Sequence, residues 1–364
     1  MQIDFLNIAT ITGAAQGILL AAFLFLKRGR VLINLPLAIY ILLMSANLIN
    51  TLLIGKDISF SLFGFAYVTE LCNLSYGLLI YLYTRNKIAG RMVLKRSDLW
   101  FIAPFILYFI YYLSFYKSGS YSATEYLKQG IEFSEHMGEW GFELTINIGF
   151  LIASLYTLRT YHRQIKQNYS TLEKINFTTT CNLVSICMAA YLIEVVLILL
   201  LMAGIPGVGF YHHIIYGLFV LALFVFGYNE LIYPNVAVVP VVKEVKYKGS
   251  TLSSDSSQRI ADNLRIYMQE QKPFLNPEIT LKNLAESVSE QPYILSQVIN
   301  ENFGQNYYEF INSYRIEEAK RILKDPAHKD YTLTAIGFEA GFNSKSAFYT
   351  AFKKITGVSP AKYS

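Results

Sequence analysis

Seven long apolar segments occupy the first two thirds of the chain. They run over residues 5–26, 32–54, 60–83, 99–116, 140–160, 177–203 and 211–233. Each is near the ~20 residues that a helix needs to cross the hydrocarbon core of a bilayer. We therefore predict an all-α protein whose residues 1–233 form a seven-helix transmembrane bundle. The first segment begins Met1-Gln2-Ile3-Asp4 without a basic residue, so we interpret it as a span rather than a signal peptide.

The composition changes after the last apolar segment. Of the 364 residues, 53% are hydrophobic and 16% are charged, whereas soluble proteins carry roughly 25% charged residues. The deficit lies before about residue 235, and the net charge of +5 is too small to indicate a partner. Residues 234–256 contain Pro234, Pro240 and the polar stretch "GSTLSSDS", which is typical of a linker. The predicted domains are thus 1–233, the linker 234–256 and a C-terminal domain at 257–364.

The basic residues of the loops are distributed unequally between the two sides of the predicted bundle. One set of loops contains twelve of them: Lys27, Arg28, Arg30, Arg85, Lys87, Arg91, Lys95, Arg96, Arg159, Arg163, Lys166 and Lys174. The opposite loops contain three: Lys56, Lys117 and Lys128. Because loops rich in lysine and arginine stay in the cytoplasm, the first set is predicted to be cytoplasmic. This predicts a multi-pass protein of the inner membrane, with the N-terminus outside and the C-terminal domain in the cytoplasm.

Five glutamate and histidine residues lie at mid-depth or toward the outer end of the predicted spans. They are Glu70, Glu143, Glu194, His212 and His213. Ionisable groups inside a bilayer are costly and often functional, so these side chains are candidates for an outward-facing site that binds a small molecule, a cation or protons. The alternative is that Glu143 and the two histidines lie at headgroup level and contact only water.

The sequence contains no pattern that indicates an enzyme or a metal site. Cys72, Cys181 and Cys187 all lie in apolar segments, and their spacing indicates free thiols rather than a disulfide or zinc framework. No spacing resembles that of a metalloprotease, a rhomboid-type Ser/His pair or a glycine-rich phosphate loop. We therefore predict no catalytic residue, no metal and no cofactor, and we do not expect an enzyme.

The C-terminal domain has the apolar periodicity of short helices. Two similar helix-turn-helix units are predicted, at about residues 281–303 and 333–356, joined by a long helix that starts near Tyr307. In the second unit Gly341 suits a left-handed turn, since it lacks a β-carbon. Either Asn343 or Ser344 is expected to cap the following helix. Buried positions are expected at Phe348 and Phe352, among others.

The motifs of this domain carry a resemblance to a known family. They are "LAESV…QPYILSQVINENFG", "YEFINSYRIEEAKRIL" and "IGFEAGFNSKSAFYTAFKKITGVSPAKY". Residues from about 257 to 364 resemble the AraC-type DNA-binding domain of bacterial transcription regulators. This resemblance implies two recognition helices in successive segments of the major groove, about one turn of DNA apart. Two departures are visible: the first recognition helix has no basic residue, and Gly337 stands where the family usually has alanine.

Carried over by position, the resemblance implies the residues that contact DNA. They are Tyr293, Ser296 and Gln297 in the first unit, and Ser344, Lys345, Ser346, Tyr349 and Thr350 in the second, with Lys353 and Lys354 on phosphates. From residue 257 onward the domain has 13 basic and 12 acidic residues, so the net charge is close to zero. One copy is therefore expected to bind DNA weakly, and a homodimer to bind a doubled site more tightly.

These observations predict a membrane-anchored regulator that couples an envelope or external signal to the binding of double-stranded promoter DNA. Its expected partners are the lipid bilayer, promoter DNA, a second copy and an unidentified small molecule or ion. Two alternatives remain open. In the first, the membrane half is a transporter or a membrane enzyme with an autoregulatory tail. In the second, the tail docks a protein instead of DNA.

Overall fold

The structure is a computed structural model that describes residues 5–26, 31–54, 72–117, 133–172, 178–203, 205, 224–225, 227–228 and 252–363. Within these ranges the chain is helical and forms no strand, apart from an isolated antiparallel bridge between Tyr169 and Thr280. The predicted all-α class is therefore confirmed for the described residues. The chain divides into two compact units. The first comprises Met1–Leu158 and Phe177–Val238, and the second Arg159–Asn176 and Val239–Ser364.

The first unit is built from apolar helices. They are α1 (Phe5–Leu26), α2 (Val31–Ile54), α3 (Tyr76–Ala89), α4 (Ala103–Lys117), the first part of α5 (Phe133–Asn168) and α6 (Thr178–Met202). A 3-10 helix, Arg96–Ile102, precedes α4. Many apolar side chains on these helices are exposed; Leu19, for example, is 60% exposed and Leu199 57%. Helices with apolar residues on their outer surface suit a lipid environment.

Three described helical segments are long and apolar enough to cross a membrane. They are Val31–Asn50, Gly141–Asn168 and Thr178–Leu200, and a shorter apolar segment runs over Thr10–Leu26. The count of seven spans is therefore not confirmed. Most of the predicted segments 60–83 and 211–233 lies outside the described residues.

The predicted helix over residues 60–83 is wrong at one described point, because a turn at residues 74–75 interrupts it. The hydroxyl of Ser75 donates to the carbonyl of Cys72 at 2.6 Å. Beyond the turn, the Gly77 amide donates to Oδ1 of Asn147 at 2.6 Å, and Nδ2 of Asn147 donates to the carbonyl of Asn73 at 3.2 Å. The side chain of Asn147 on α5 thus satisfies backbone groups that the interruption leaves open.

Helix α5 is longer than the predicted span at 140–160. It runs over Phe133–Asn168, so it begins in the first unit and its last residues belong to the second. Hydropathy marks only the apolar part of a helix, and the polar residues that follow Arg159 continue the helical hydrogen bonding.

The second unit contains the helices of the C-terminal domain. They are α7 (Ser254–Gln271), α8 (Leu281–Ser287), α9 (Pro292–Phe303), α10 (Tyr307–Lys324), α11 (Leu333–Glu339), α12 (Lys345–Thr356) and α13 (Pro360–Tyr363). One apolar core includes Leu284, Leu295 and Phe310, and another includes Ile316 and Phe348. The prediction of two helix-turn-helix units joined by a long helix, α10, is confirmed.

The borders of the second unit differ from those of the predicted C-terminal domain. Helix α7 begins at Ser254, capped by Ser253, so the last residues of the predicted linker 234–256 are helical. Residues 159–176, which the sequence placed in a loop between two spans, belong to this unit as well. The domain borders 1–233, 234–256 and 257–364 stay predictions.

Candidate nucleic-acid interface

The second helix-turn-helix unit is held by a turn that only glycine fits easily. Gly341 has φ +93°, and a β-carbon there would lie 2.4 Å from the carbonyl oxygen of Phe274. The hydroxyl of Ser344 accepts a hydrogen bond from the Ala347 amide at 3.1 Å, so Ser344 rather than Asn343 caps α12. Phe348 is fully buried and anchors the back of α12. Both features place the other face of α12 toward solvent.

The outward face of α12 carries the polar residues that the sequence predicted for DNA contact. Lys345, Ser346, Thr350 and Lys353 are exposed, and Tyr349 is half-buried. Nζ of Lys345 lies 5.5 Å from the centroid of the Tyr349 ring, a favourable cation–π distance. A shallow depression is lined by Tyr349, Thr350, Lys353, Lys354 and Ser359. Hydroxyl and ammonium groups on one helix face can contact both base edges and phosphates.

Six basic residues of the second unit are paired with carboxylates, whereas two lysines on the outward face of α12 are not. The pairs are Arg265–Asp262, Lys272–Glu318, Lys282–Glu286, Lys320–Glu317, Arg321–Glu318 and Lys354–Glu309. Among the described residues, Lys345 and Lys353 have no such carboxylate partner. A domain with almost no net charge therefore still presents a local positive surface.

Lys354 has a protein partner in addition to its predicted phosphate. Its ammonium group donates to Oε1 of Glu309 at 2.6 Å, near the start of α10. This hydrogen bond is the main reason why the pKa of Glu309 is lowered. The Lys354 side chain remains 65% exposed. A phosphate would therefore compete with Glu309 for Lys354.

The first helix-turn-helix unit uses the same plan with different surface chemistry. Ser289 follows α8 with φ +53°, a conformation that non-glycine residues rarely adopt. On α9, Tyr293 is 41% exposed, and Ser296 and Gln297 are half-buried. Nε2 of Gln297 donates to Oε1 of Glu301 at 2.9 Å. Glu301 is the only charged residue of α9, so this helix has no cation for a phosphate.

Sequence reasoning missed a buried arginine in the middle of α10. Arg315 is 1% exposed, and its Nε donates to the carbonyl of Phe274 at 2.8 Å. Burial lowers the pKa of Arg315 to about 10, so the guanidinium stays positively charged at neutral pH. A signal was available, because position 315 lies four residues from both Ile311 and Ala319 on the buried face.

The candidate ligand residues of the membrane half are only partly described. Glu143 lies on α5 and Glu194 on α6, and both are half-buried. Glu70, His212 and His213 lie outside the described residues. The convergence of these five side chains on one site stays a prediction. The described part of the chain contains no cluster of histidine, cysteine, aspartate and glutamate that could hold a metal ion.

Two units joined by α10, each with a capped and partly exposed second helix, define a DNA-binding domain of helix-turn-helix architecture. Residues 284–364 match the family model described as a helix-turn-helix domain. The C-terminal region of this chain is therefore a helix-turn-helix domain of the AraC type.

The chain also resembles curated proteins over about a third of its length. Over 114 residues the chain is 30% identical to an uncharacterised HTH-type transcriptional regulator of Staphylococcus aureus (strain COL). That match covers 31% of this chain and 14% of the relative. Over 135 residues it is 26% identical to the uncharacterised HTH-type transcriptional regulator YtdP of Bacillus subtilis (strain 168), covering 37% of this chain and 15% of the relative. No solved structure matches the chain.

Proposed function

We propose that this protein is a membrane-anchored transcription regulator that binds promoter DNA sequence-specifically and responds to a signal in the envelope or outside the cell. The two recognition helices, α9 and α12, enter successive segments of the major groove. Lys345, Ser346 and Thr350 contact bases or phosphates from α12, and Tyr293, Ser296 and Gln297 do so from α9. No enzyme activity is required for this function.

The observation that carries the proposal is the outward face of α12. Four exposed polar or basic side chains lie on it, and two of them, Lys345 and Lys353, are without a carboxylate partner among the described residues. The opposite face of the helix is buried through Phe348 and Phe352. A helix that is fixed from behind and polar in front is what major-groove recognition requires.

Membrane anchoring is supported by the apolar helices and the loop charges. Three described segments suffice in length and hydropathy to cross a bilayer, and the excess of basic residues supports a cytoplasmic location for residues 159–176. These same residues are part of the compact unit that contains the DNA-binding helices. The proposed orientation, with seven spans and the N-terminus outside, keeps both parts of that unit in the compartment that holds the DNA.

The DNA-binding proposal is tested with the full chain in nanodiscs. A DNA duplex is selected from a random library, and its affinity for wild type and for Lys345→Ala is measured against salt concentration. If Lys345 meets a phosphate, the slope of log K against log salt falls by about one. If it meets a guanine, ~1–3 kcal/mol is lost only on duplexes with that base.

The matched control is Lys320→Ala, which also removes one positive charge but on α10, where Lys320 is paired with Glu317 at 2.7 Å. Its affinity and salt slope should stay near those of wild type. Failure of the wild-type protein to select any duplex would overturn the proposed function.

The orientation is tested by fusing a reporter that is active only in the cytoplasm. Fusions after Tyr363 or within residues 85–98 should be active, and fusions within 117–139 should be inactive, as the loop charges predict. Activity of a 117–139 fusion would reverse the proposed orientation.

The signal is proposed to act on a homodimer. Two nearly neutral DNA-binding domains held together by their membrane halves gain affinity for a doubled site through effective concentration, by ~10²–10⁴-fold. The signal is a small molecule or ion that binds the membrane half, with Glu70 and Glu194 as candidate ligands. Native mass spectrometry of the protein released from nanodiscs measures the subunit number, and a strict monomer would contradict this mechanism.

A further inference from the structure

A segment outside the helix-turn-helix motifs packs on the DNA-binding unit. We call residues 166–172 the docking segment; it comprises the end of α5 and the residues that follow. Nζ of Lys166 lies 5.8 Å from the ring centroid of Tyr308 at the start of α10. Tyr169 forms an antiparallel bridge with Thr280. The hydroxyl of Thr171 donates to the carbonyl of Pro277. The docking segment therefore lies along the chain that leads into α8.

Arg315 joins the docking segment to the rest of the unit. Its guanidinium donates to five oxygen atoms, and Ser170 supplies two of them. The carbonyl of Ser170 lies 3.2 Å from Nη1, and its hydroxyl lies 3.3 Å from Nη2. The same hydroxyl donates to the carbonyl of Ile279 at 2.7 Å. Arg315 and Ser170 are both almost fully buried.

The position of Arg315 connects the two helix-turn-helix units. Its Nε and Nη2 donate to the carbonyls of Phe274 and Asn276, which lie just before the first helix-turn-helix unit. Its guanidinium carbon lies 5.6 Å from the ring centroid of Phe342, which is in the turn of the second unit. Gly341 packs directly against the backbone of Phe274. One buried cation thus fixes the place where the two helix-turn-helix units meet.

Ser170 is needed to keep this cation satisfied. A buried guanidinium that loses acceptors is costly, because water cannot replace them while the site remains closed. Without the docking segment, Arg315 loses two of its acceptors, and the loop that contains Phe274 and Asn276 loses the contacts that hold its far end closed at Pro277, Ile279 and Thr280. Opening that loop releases the support behind Gly341, and with it the spacing between α9 and α12.

We propose that Ser170 and the docking segment are positioning elements for DNA recognition, which act through Arg315 to fix the two recognition helices relative to each other. The inference rests on the proposed function and adds its route of regulation. The docking segment is the continuation of α5, the helix whose Asn147 caps the interrupted chain at Gly77. A signal that displaces the end of α5 withdraws Ser170 from Arg315 and lowers the affinity for a site that requires both recognition helices.

The test compares full-length wild type with Ser170→Arg in nanodiscs. An arginine at position 170 places a second cation against Arg315 and expels the docking segment. The duplex selected with wild type is used whole, and again with one of its two half-sites randomised. We expect Ser170→Arg to lower affinity for the whole duplex at least tenfold, and affinity for the half-site duplex less than threefold.

Two further variants separate the positioning role from general damage. Asn168→Arg adds the same charge to the docking segment, but the Asn168 side chain bonds only its own helix, at the carbonyl of Gln164. It should bind the whole duplex within about twofold of wild type. Ser170→Thr keeps the hydroxyl and should restore wild-type affinity.

Hydrogen exchange supplies a readout that does not depend on DNA. In Ser170→Arg, amides of residues 274–280 should exchange at least tenfold faster, while those of α9 and α12 stay protected. If α12 also loses protection, Ser170→Ala replaces Ser170→Arg. This variant must lower the affinity for the whole duplex more than the affinity for the half-site duplex. Wild-type affinity and unchanged exchange in Ser170→Arg and Ser170→Ala would overturn the inference and leave the proposed function standing. Failure of wild type to bind any duplex would overturn the proposed function itself.

Discussion

The two helix-turn-helix units share a backbone plan and differ in almost every exposed group. The second recognition helix, α12, presents Lys345 and Lys353 to solvent, whereas the first, α9, carries Glu301 as its only charge. The turn of the second unit uses Gly341, and that of the first uses Ser289; both have positive φ. Under the proposed function, the second unit therefore supplies most of the attraction to phosphates, and the first unit adds recognition by neutral side chains.

This difference indicates a division of work between the units. Phosphate contacts provide affinity and position, and contacts with base edges provide specificity. A neutral first helix contributes little until the second helix has fixed the domain on the DNA. Under the proposed function, charge sets the order in which the two helices bind, and both helices contribute to the sequence preference.

The largest expected effect is the loss of stability on replacing Gly341, in the turn of the second helix-turn-helix unit. Gly304, which follows the end of α9, is the comparison. Gly341→Ala places a β-carbon at φ +93° and 2.4 Å from a backbone oxygen. Strain and overpacking together should cost about 3–5 kcal/mol. Gly304→Ala also has positive φ, at +65°, but no atom lies within 4 Å of its β-carbon, and it should cost about 1 kcal/mol. Hydrogen exchange of the Phe348 amide measures both, and equal losses would contradict the role of the Phe274 contact.

A smaller loss of stability is expected for a substitution four residues before the turn of the second helix-turn-helix unit. Gly337 packs under Phe348, where a β-carbon would meet Cγ at 2.8 Å. Although alanine is usual in the family at this position, Gly337→Ala should destabilise the second unit by about 1–3 kcal/mol. Thermal unfolding followed by circular dichroism, with the exposed control Ser346→Ala, checks this. A stabilised Gly337→Ala variant would show that Phe348 adjusts, and that the second unit is the looser one.

The charge contrast is sharpened by Glu301→Gln on α9. Removing the only negative charge of the first recognition helix should raise affinity for the selected duplex by about twofold to fivefold at low salt, since surface charge effects amount to ~1 kcal/mol or less. The effect should decrease as salt is added. Fluorescence anisotropy measures it, with Glu317→Gln on α10 as the control. Identical gains from both variants would mean that only the total charge matters.

The smallest effect concerns the pair between Lys354 and Glu309, which links the second unit to α10. The lowered pKa of Glu309 means that the pair stabilises the fold above the unfolded pKa, and that this contribution is lost as pH falls through the folded pKa. Because both side chains are more than a third exposed, Lys354→Ala should cost under about 1 kcal/mol at pH 7. The cost should decrease as pH falls below the unfolded pKa of Glu309 and disappear once Glu309 is protonated in the folded protein. A larger cost in acid would contradict the assignment.

The local features of the DNA-binding unit were largely predictable from sequence. Apolar spacing placed Leu295, Val298 and Phe348 in the core, and all are fully buried. The conformational needs of a turn identified Gly341, and those of a cap left two candidates, Asn343 and Ser344, of which Ser344 is the cap. These features depend on residues within a few positions of one another, so a pattern in the chain can reveal them.

The features that sequence reasoning missed depend on distant partners. Asn147 caps a helix 70 residues earlier in the chain, and Ser170 bonds an arginine 145 residues later. The mean hydropathy of a segment shows only whether the segment is apolar. Neither the interruption before Tyr76 nor the docking of residues 166–172 changes this mean value. The role of Arg315 was visible only as a charge on the buried face of α10.

The sequence separation between Ser170 and Arg315 also has a consequence for biosynthesis. A ribosome makes the docking segment before α6 and before the predicted span at 211–233, and makes Arg315 only afterwards. Under the proposed orientation, α6 and the predicted span at 211–233 lie between the two residues in the chain. Ser170 and Arg315 meet only if both of these segments cross the bilayer. If only one of these two segments crosses, Ser170 and Arg315 lie on opposite sides of the membrane, and the DNA-binding unit stays incomplete. The protein would then regulate transcription only after its membrane half has been inserted correctly.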